Sequence, residues 1–79
     1  MSIFAKTKEY TVYIDGMRCS HCAANVEKTL KGLKGIKKVS VDLEGKKAII
    51  SASTSDENAL FSEIKANIAT AGFEVTKIE

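Results

Sequence analysis

The sequence predicts an α/β (α+β) sandwich: a four-stranded antiparallel sheet with two helices on one face. Three observations predict it. Apolar residues alternate in short runs, two longer stretches show helical apolar spacing, and glycine or polar turn residues mark most changes of period. From about Lys8 to Ile14, Tyr10, Val12 and Ile14 alternate with Thr11 and Tyr13, the pattern of a half-buried strand. Asp15-Gly16 breaks it. From about Ser20 to Leu33, Cys22, Val26, Leu30 and Leu33 recur at three- and four-residue steps, which places them on one helical face. Gly32 and Gly35 bracket the end of that helix, where a left-handed capping residue is expected.

A second strand follows at about Ile36 to Leu43, with Val39, Val41 and Leu43 alternating. Glu44-Gly45 makes a hairpin turn, and Lys46 to Ser53 returns as the third strand. Thr54-Ser55-Asp56-Glu57 reads as a capping box, with Thr54 as the N-cap and Glu57 three residues on. The second helix turns Leu60, Phe61, Ile64, Ile68 and Ala71 inward and ends at Gly72. Phe73, Val75 and Ile78 supply the last strand.

The resulting order is β-α-β-β-α-β, and its halves rhyme. Val26, Leu30, Leu33, Gly35, Ile36 and Val39 in one correspond to Ile64, Ile68, Ala71, Gly72, Phe73 and Val75 in the other. Two split βαβ units of this kind combine as a ferredoxin-like fold. We expect one domain over residues 1–79 with its core at about 8–78. A chain this short buries only about 60% of its unfolded surface, so its core is thin.

Bulk properties remove several functions. A net charge of +2 is too small to imply nucleic acid as a partner. No apolar run approaches the roughly 18–20 residues of a membrane span, so membrane insertion is not expected. The N-terminus, Met1-Ser2-Ile3-Phe4-Ala5-Lys6, lacks the apolar core of a signal peptide. With two cysteines in all, the sequence fits a reducing, cytoplasmic setting.

Function has to come from a site, because this topology hosts many unrelated activities. Both cysteines fall in Gly16-Met17-Arg18-Cys19-Ser20-His21-Cys22, between the first strand and the first helix. This spacing lets a loop and a first helical turn aim two sulfurs at one ion. Thiolate is a soft ligand that suits Cu(I) or Zn(II), and a helix N-terminus favours thiolate over thiol. Two thiolates suffice for a two-coordinate ion such as Cu(I). Zinc generally takes four ligands, and only His21 and carboxylates such as Asp15 could complete its set. A thioredoxin-like redox pair would need a neighbouring cis-proline, and the chain has no proline. A disulfide here would close a tiny loop for little entropic gain. Cys22 could be an ordinary core thiol on the apolar helical face, a reading that does not suit Cys19 in its glycine-led loop.

Gly16-Met17-Arg18-Cys19-Ser20-His21-Cys22 resembles the Gly-Met-x-Cys-x-x-Cys signature of heavy-metal-associated domains. These domains occur as copper chaperones and as N-terminal modules of metal-transporting P-type ATPases. The likeness extends over about Lys8 to Ile78 with the same order of elements. It implies that Cys19 and Cys22 are the Cu(I) ligands, Cys19 being the more exposed and the first to enter exchange. It implies that Met17 anchors the loop to the core without ligating, and that Gly16 permits the turn. Phe73 matches a loop position near the metal where free bacterial chaperones resemble one another in carrying Tyr, eukaryotic ones Lys, and ATPase modules Phe. Arg18 stands where Thr or Ser is common, and would set a positive charge beside the thiolates or contact a partner. His21 is a possible third ligand, or a solvated side chain at the helix start.

The resemblance implies stepwise thiolate exchange with a partner, no catalysis, and a copper-transporting P-type ATPase or a copper-responsive regulator as that partner. A monomer is expected, with a metal-bridged dimer as an option. Lys28, Lys31, Lys34, Lys37 and Lys38 could form a basic docking face for an acidic partner, or a solvated surface that aids solubility. A chain that opens on Met1 and closes soon after its last strand fits a free chaperone, whereas Phe73 fits an ATPase module. Carriage of Hg(II), Zn(II) or Cd(II) is a further reading. Periplasmic mercury carriers are similar but exported, and zinc modules often place an acidic residue where this chain has Arg18. RNA binding would need aromatics on both central strands, and the third strand has none beside Tyr10 and Tyr13 of the first.

Overall fold

A computed structural model of the protein describes residues 7–53 and 56–79. The elements are β1 (Lys8–Asp15), α1 (Ser20–Lys31), β2 (Ile36–Asp42), β3 (Lys47–Ala52), α2 (Glu57–Thr70) and β4 (Glu74–Ile78). The strands lie in the order β2-β3-β1-β4, every neighbouring pair antiparallel. The fold is the ferredoxin-like βαββαβ sandwich that the apolar periods predict.

Strand pairing follows the alternation. Tyr10 stands opposite Ile50 and Val12 opposite Ala48, so the inward residues of the two central strands share one face. Val26 and Leu30 of α1 and Leu60, Ile64 and Ile68 of α2 close over that face and complete the core with Ile14, Met17 and Ala52. Each helix thus presents one stripe at three- or four-residue steps, which buries its apolar surface against the sheet. Tyr10 is only 6% exposed. Its ring meets Phe61 edge-on at 5.3 Å, and its hydroxyl donates to Glu57 Oε2 at 2.5 Å. The hydrogen bond to that carboxylate, and then burial, hold its phenol above the usual value of 10.0. With Tyr10 turned toward the helices, Tyr13 is the aromatic that β1 leaves on the opposite face, which weakens the base-stacking surface that RNA would need.

Four expectations need correction at the ends of elements. The expected N-cap Thr54 lies outside the described residues, while α2 starts at Glu57 with Asp56 as its N-cap. The Asp56 carboxylate accepts from the Ala59 backbone N–H at 3.1 Å, the bond an N-cap supplies to the third helical residue. Helix α1 is shorter than predicted and its C-cap, Gly32, is right-handed; the left-handed residue is Gly35. In the β2–β3 hairpin the left-handed residue is Lys46, not part of the third strand. Ala71 is the C-cap of α2 and exposed, because the helix ends before its next turn can face inward.

Candidate metal centre

Loop 16–19 is held from two sides. Gly16 adopts φ +103, and a Cβ on it would lie 3.4 Å from Phe73 Cδ1. The glycine therefore serves both the left-handed turn and the close approach of the ring. Phe73 is brought there by the end of α2. Gly72, at φ +97, donates its N–H to Ala69 O at 3.0 Å, and Phe73 donates to Ile68 O at 3.0 Å. These two bonds form a Schellman motif, which turns the chain back sharply after the helix. On the other side, Met17 is 6% exposed and packs in the core cluster. A buried methionine between two exposed neighbours anchors the loop by its apolar body, as the resemblance implies.

Arg18, Cys19, Ser20 and His21 are exposed, and Cys22 is half-buried against the edge of the core. Both cysteines are free thiols, and their Sγ atoms lie 3.5 Å apart. Cys19 is the N-cap of α1, with extended backbone at φ −153 and ψ 169, and its carbonyl accepts from Ala23 N at 3.1 Å. The Cys19 side chain makes no capping bond, and the first turn carries no acidic residue. The amide N–H groups of that turn are therefore available to the sulfurs, along with the positive end of the helix dipole. The Arg18 backbone N–H, and then the Cys19 thiol, hold the Cys22 thiol below its ordinary value of 9.0 against the opposing effect of burial.

This depression has a consequence for stability. A group whose pKa is lower folded than unfolded adds stability above its unfolded pKa and loses that contribution as pH falls through the folded one. The reduced, metal-free chain therefore gains stability as pH rises toward 9, and the Cys22→Ser variant lacks that component. Thermal melts at pH 7, 8 and 9 under reducing conditions measure the difference. Parallel pH profiles for the two proteins would contradict it.

Chemically, two thiolates at this separation make a soft, two-donor site. Two collinear bonds of about 2.3 Å to one ion need sulfurs about 4.6 Å apart, so an opening of about 1 Å admits it. Among the described residues, no three His, Cys, Asp or Glu side chains converge to hold a metal, so His21 and Asp15 do not complete a closed zinc set with the pair. A cleft of about 470 Å³ adjoins the loop, lined by Asp15, Gly16, Met17, Arg18 and Lys46. The proximity of Lys46 is not visible in the sequence, where it stands far from the motif. Its signal is structural: the Ile14 N–H donates to Lys46 O at 2.9 Å, which fixes the hairpin to the strand end that launches the loop.

The chain is 38% identical over 66 residues, 81% of its length, to copper-transporting ATPase 2 of Rhizobium meliloti (strain 1021), of which it spans 8%. It is 32% identical over 65 residues, 82% of its length, to the copper chaperone CopZ of Enterococcus hirae, of which it spans 91%. It is 30% identical over 71 residues, 90% of its length, to the periplasmic component of the mercuric transport protein of Shigella flexneri, spanning 76% of it. The model of the heavy-metal-associated domain matches residues 11–74, from the first strand through both cysteines to the start of the last strand. The chain belongs to the heavy-metal-associated domain family.

Proposed function

We propose that the chain is a cytoplasmic copper chaperone: it carries one Cu(I) between Cys19 and Cys22 and passes it to a partner by thiolate exchange. The observation that carries this reading is the pair of free sulfurs, 3.5 Å apart at a helix start that Cys19 does not cap by its side chain, with no third His, Cys, Asp or Glu donor gathered around them among the described residues. Such a site binds a soft ion tightly yet leaves it open to attack. Each thiol loses its proton as the ion enters. An incoming partner thiolate then bonds to Cu(I) to give a three-coordinate bridge, and the exposed Cys19 leaves first. Repetition with a second partner thiolate frees Cys22. Metal–sulfur bonds change partners, and each sulfur set free regains a proton while the acceptor's thiol gives one up, so the chain acts as a carrier and not as an enzyme.

The 32% identity to a copper chaperone supports the carrier reading. The matching partner is a copper-transporting P-type ATPase or a copper-responsive regulator, and two copies sharing one ion would form a metal-bridged dimer. Phe73 against Gly16, with the 38% identity to a copper-transporting ATPase, supports a module of such a pump as the second reading. The mercuric relative supports Hg(II) as an alternative cargo. The test is an anaerobic titration of the reduced protein, with Cu(I) held by a strong chelator and Zn(II) and Hg(II) in parallel. One Cu(I) per chain, released to the cysteine pair of an acceptor domain, supports the reading; Cu(I) that stays bound in the presence of every acceptor would sink it.

Docking of the partner involves the lysines. Lys28 and Lys31 lie in the last turn of α1, where Lys31 pairs with Glu27 at 2.8 Å. Lys31, Lys37 and Lys38 line one shallow cavity with Glu9, toward the start of β2. From Cys22 to Lys28 is six residues, about 9 Å along the helix. A partner footprint of about 800 Å² reaches across that distance and covers both. Reversing Lys28 and Lys31 to Glu is expected to slow transfer about tenfold at low salt and to flatten its ionic-strength dependence. Stopped-flow transfer at several salt concentrations measures this, and an unchanged rate would remove the lysines from docking.

A further inference from the structure

The turn between β2 and β3 has a backbone feature that its own composition does not call for. Lys46 adopts φ 55 and is the one non-glycine residue with positive φ among the described residues. An L side chain is sterically penalised there and glycine is not. The chain does have a glycine one residue earlier, but Gly45 answers a different need. A Cβ on it would lie 2.7 Å from Asp42 Oδ2 and 3.1 Å from Lys47 Cε, and its N–H donates to Asp42 Oδ1 at 3.0 Å. Lysine thus occupies the position where glycine would be easier. A side chain held in an unfavourable backbone region points to a use for that side chain.

Its surroundings indicate the use. Lys46 and Arg18 line the same cleft beside the metal loop, with Asp15 as the one acidic group among the five lining residues. Counting these three side chains, the cleft wall carries one net positive charge, and Lys46 supplies half of its cationic content. We propose that Lys46 is a specificity-determining residue whose ammonium, with Arg18, biases the Cys19–Cys22 pair toward a monovalent ion and against a divalent one. This rests on the reading of the pair as a metal site.

The physical reason is charge. Two thiolates with Cu(I) form a centre of charge −1, and the same thiolates with Hg(II) form a neutral one. However many protons the empty pair holds, the two loaded forms differ by one unit of negative charge. A nearby cation therefore favours the copper form over the mercury form by its full interaction with that unit. For an effective dielectric of about 40–80, an ammonium within about 10 Å of that charge changes the ratio of affinities by about two- to fivefold. Salt with a Debye length near 3 Å at 1 M removes most of the effect.

The test compares wild type with Lys46→Gly, Lys46→Glu and Lys46→Arg. Apparent affinities for Cu(I) and Hg(II) are measured anaerobically, each against a competing chelator, and metal-free melting is recorded for every protein. Lys46→Gly is expected to lower the Cu(I)-to-Hg(II) affinity ratio by about two- to fivefold, and Lys46→Glu by roughly the square of that. Lys46→Arg should keep the wild-type ratio, and the differences should shrink in 1 M salt. Lys46→Gly should melt no lower than wild type, since glycine suits the left-handed turn, so damage to the fold cannot account for the shift. An unchanged ratio in Lys46→Glu would overturn the proposal. Cu(I) binding that survives replacement of both Cys19 and Cys22 by serine, with Lys46 kept, would instead overturn the underlying metal-site reading, a result the four Lys46 proteins cannot mimic.

Discussion

Replacing Cys19 with serine should abolish tight Cu(I) binding while making the metal-free protein slightly more stable. Removing one of two thiolates leaves a single soft donor and a hydroxyl that stays protonated at neutral pH. Structural metal sites gain about 10–16 kcal/mol from four ligands, so each ligand contributes about 3 kcal/mol and its loss costs on the order of a hundredfold in affinity. In a two-donor site the remaining sulfur cannot hold the ion against a strong chelator. The gain in stability comes from the helix. Cys19 is the N-cap of α1 and its side chain makes no capping bond, whereas serine is among the preferred N-cap residues. Cys19→Ser should therefore raise the unfolding free energy by about 0.5–1 kcal/mol.

Cys22→Ser should lose the metal equally but move stability the other way. Cys22 is half-buried against the core cluster, so a hydroxyl there sets a more polar group against apolar neighbours and removes the thiol whose ionisation the helix start favours. Chelator competition and urea denaturation on both variants measure the two effects together. Opposite stability changes with a shared loss of Cu(I) would place the metal on the sulfurs independently of the fold. Retention of wild-type affinity by either variant would show that the ion is held elsewhere.

What was legible in the sequence was whatever depends on local periodicity. Tyr10, Val12 and Ile14 announce β1, and Val26 and Leu30 announce the inner face of α1, because a buried stripe must repeat with its element. The cysteine spacing announces a soft site for the same reason: three residues at a helix start bring two side chains together. The ends of elements were less legible, since neighbouring residues compete for one role. Thr54 and Asp56 both suit an N-cap, and the start of the helix at Glu57 goes with Asp56. Ala71 fits the inward stripe of α2, but Gly72 stops the helix first. Lys46 was illegible as a neighbour of the cysteine loop. Its place depends on the pairing of β1 with β3 and on the bond between Ile14 N–H and its carbonyl, neither of which is a local property. The 3.5 Å between the sulfurs is likewise a result of the whole loop, set by Met17 below it and Phe73 beside it.

Leu30→Ala should destabilise the metal-free domain by about 3–5 kcal/mol, the range for truncating a fully buried leucine and leaving a cavity. Leu30 is 0% exposed and is the last inward residue of the stripe Cys22, Val26, Leu30 on α1. For a domain of 79 residues the whole stability is about 4–12 kcal/mol at about 0.05–0.15 kcal/mol per residue, so the loss brings the apo protein close to unfolding at 37 °C. The metal should reverse this, because Leu30 and the sulfur of Cys22 share one helix. An ion bound only by the folded state at a free concentration 1,000 times its Kd adds about 4 kcal/mol. Leu30→Ala should therefore melt cooperatively near the wild-type apo temperature once loaded with Cu(I), with a Tm that rises with free metal. Adding Cys22→Ser to Leu30→Ala should remove the rescue. Scanning calorimetry on the apo and loaded single and double variants measures all three. A loss below about 1 kcal/mol in Leu30→Ala would mean that α1 is not seated on the sheet through that side chain. A full loss without metal rescue would mean that the cysteine pair does not draw on the folded helix to bind.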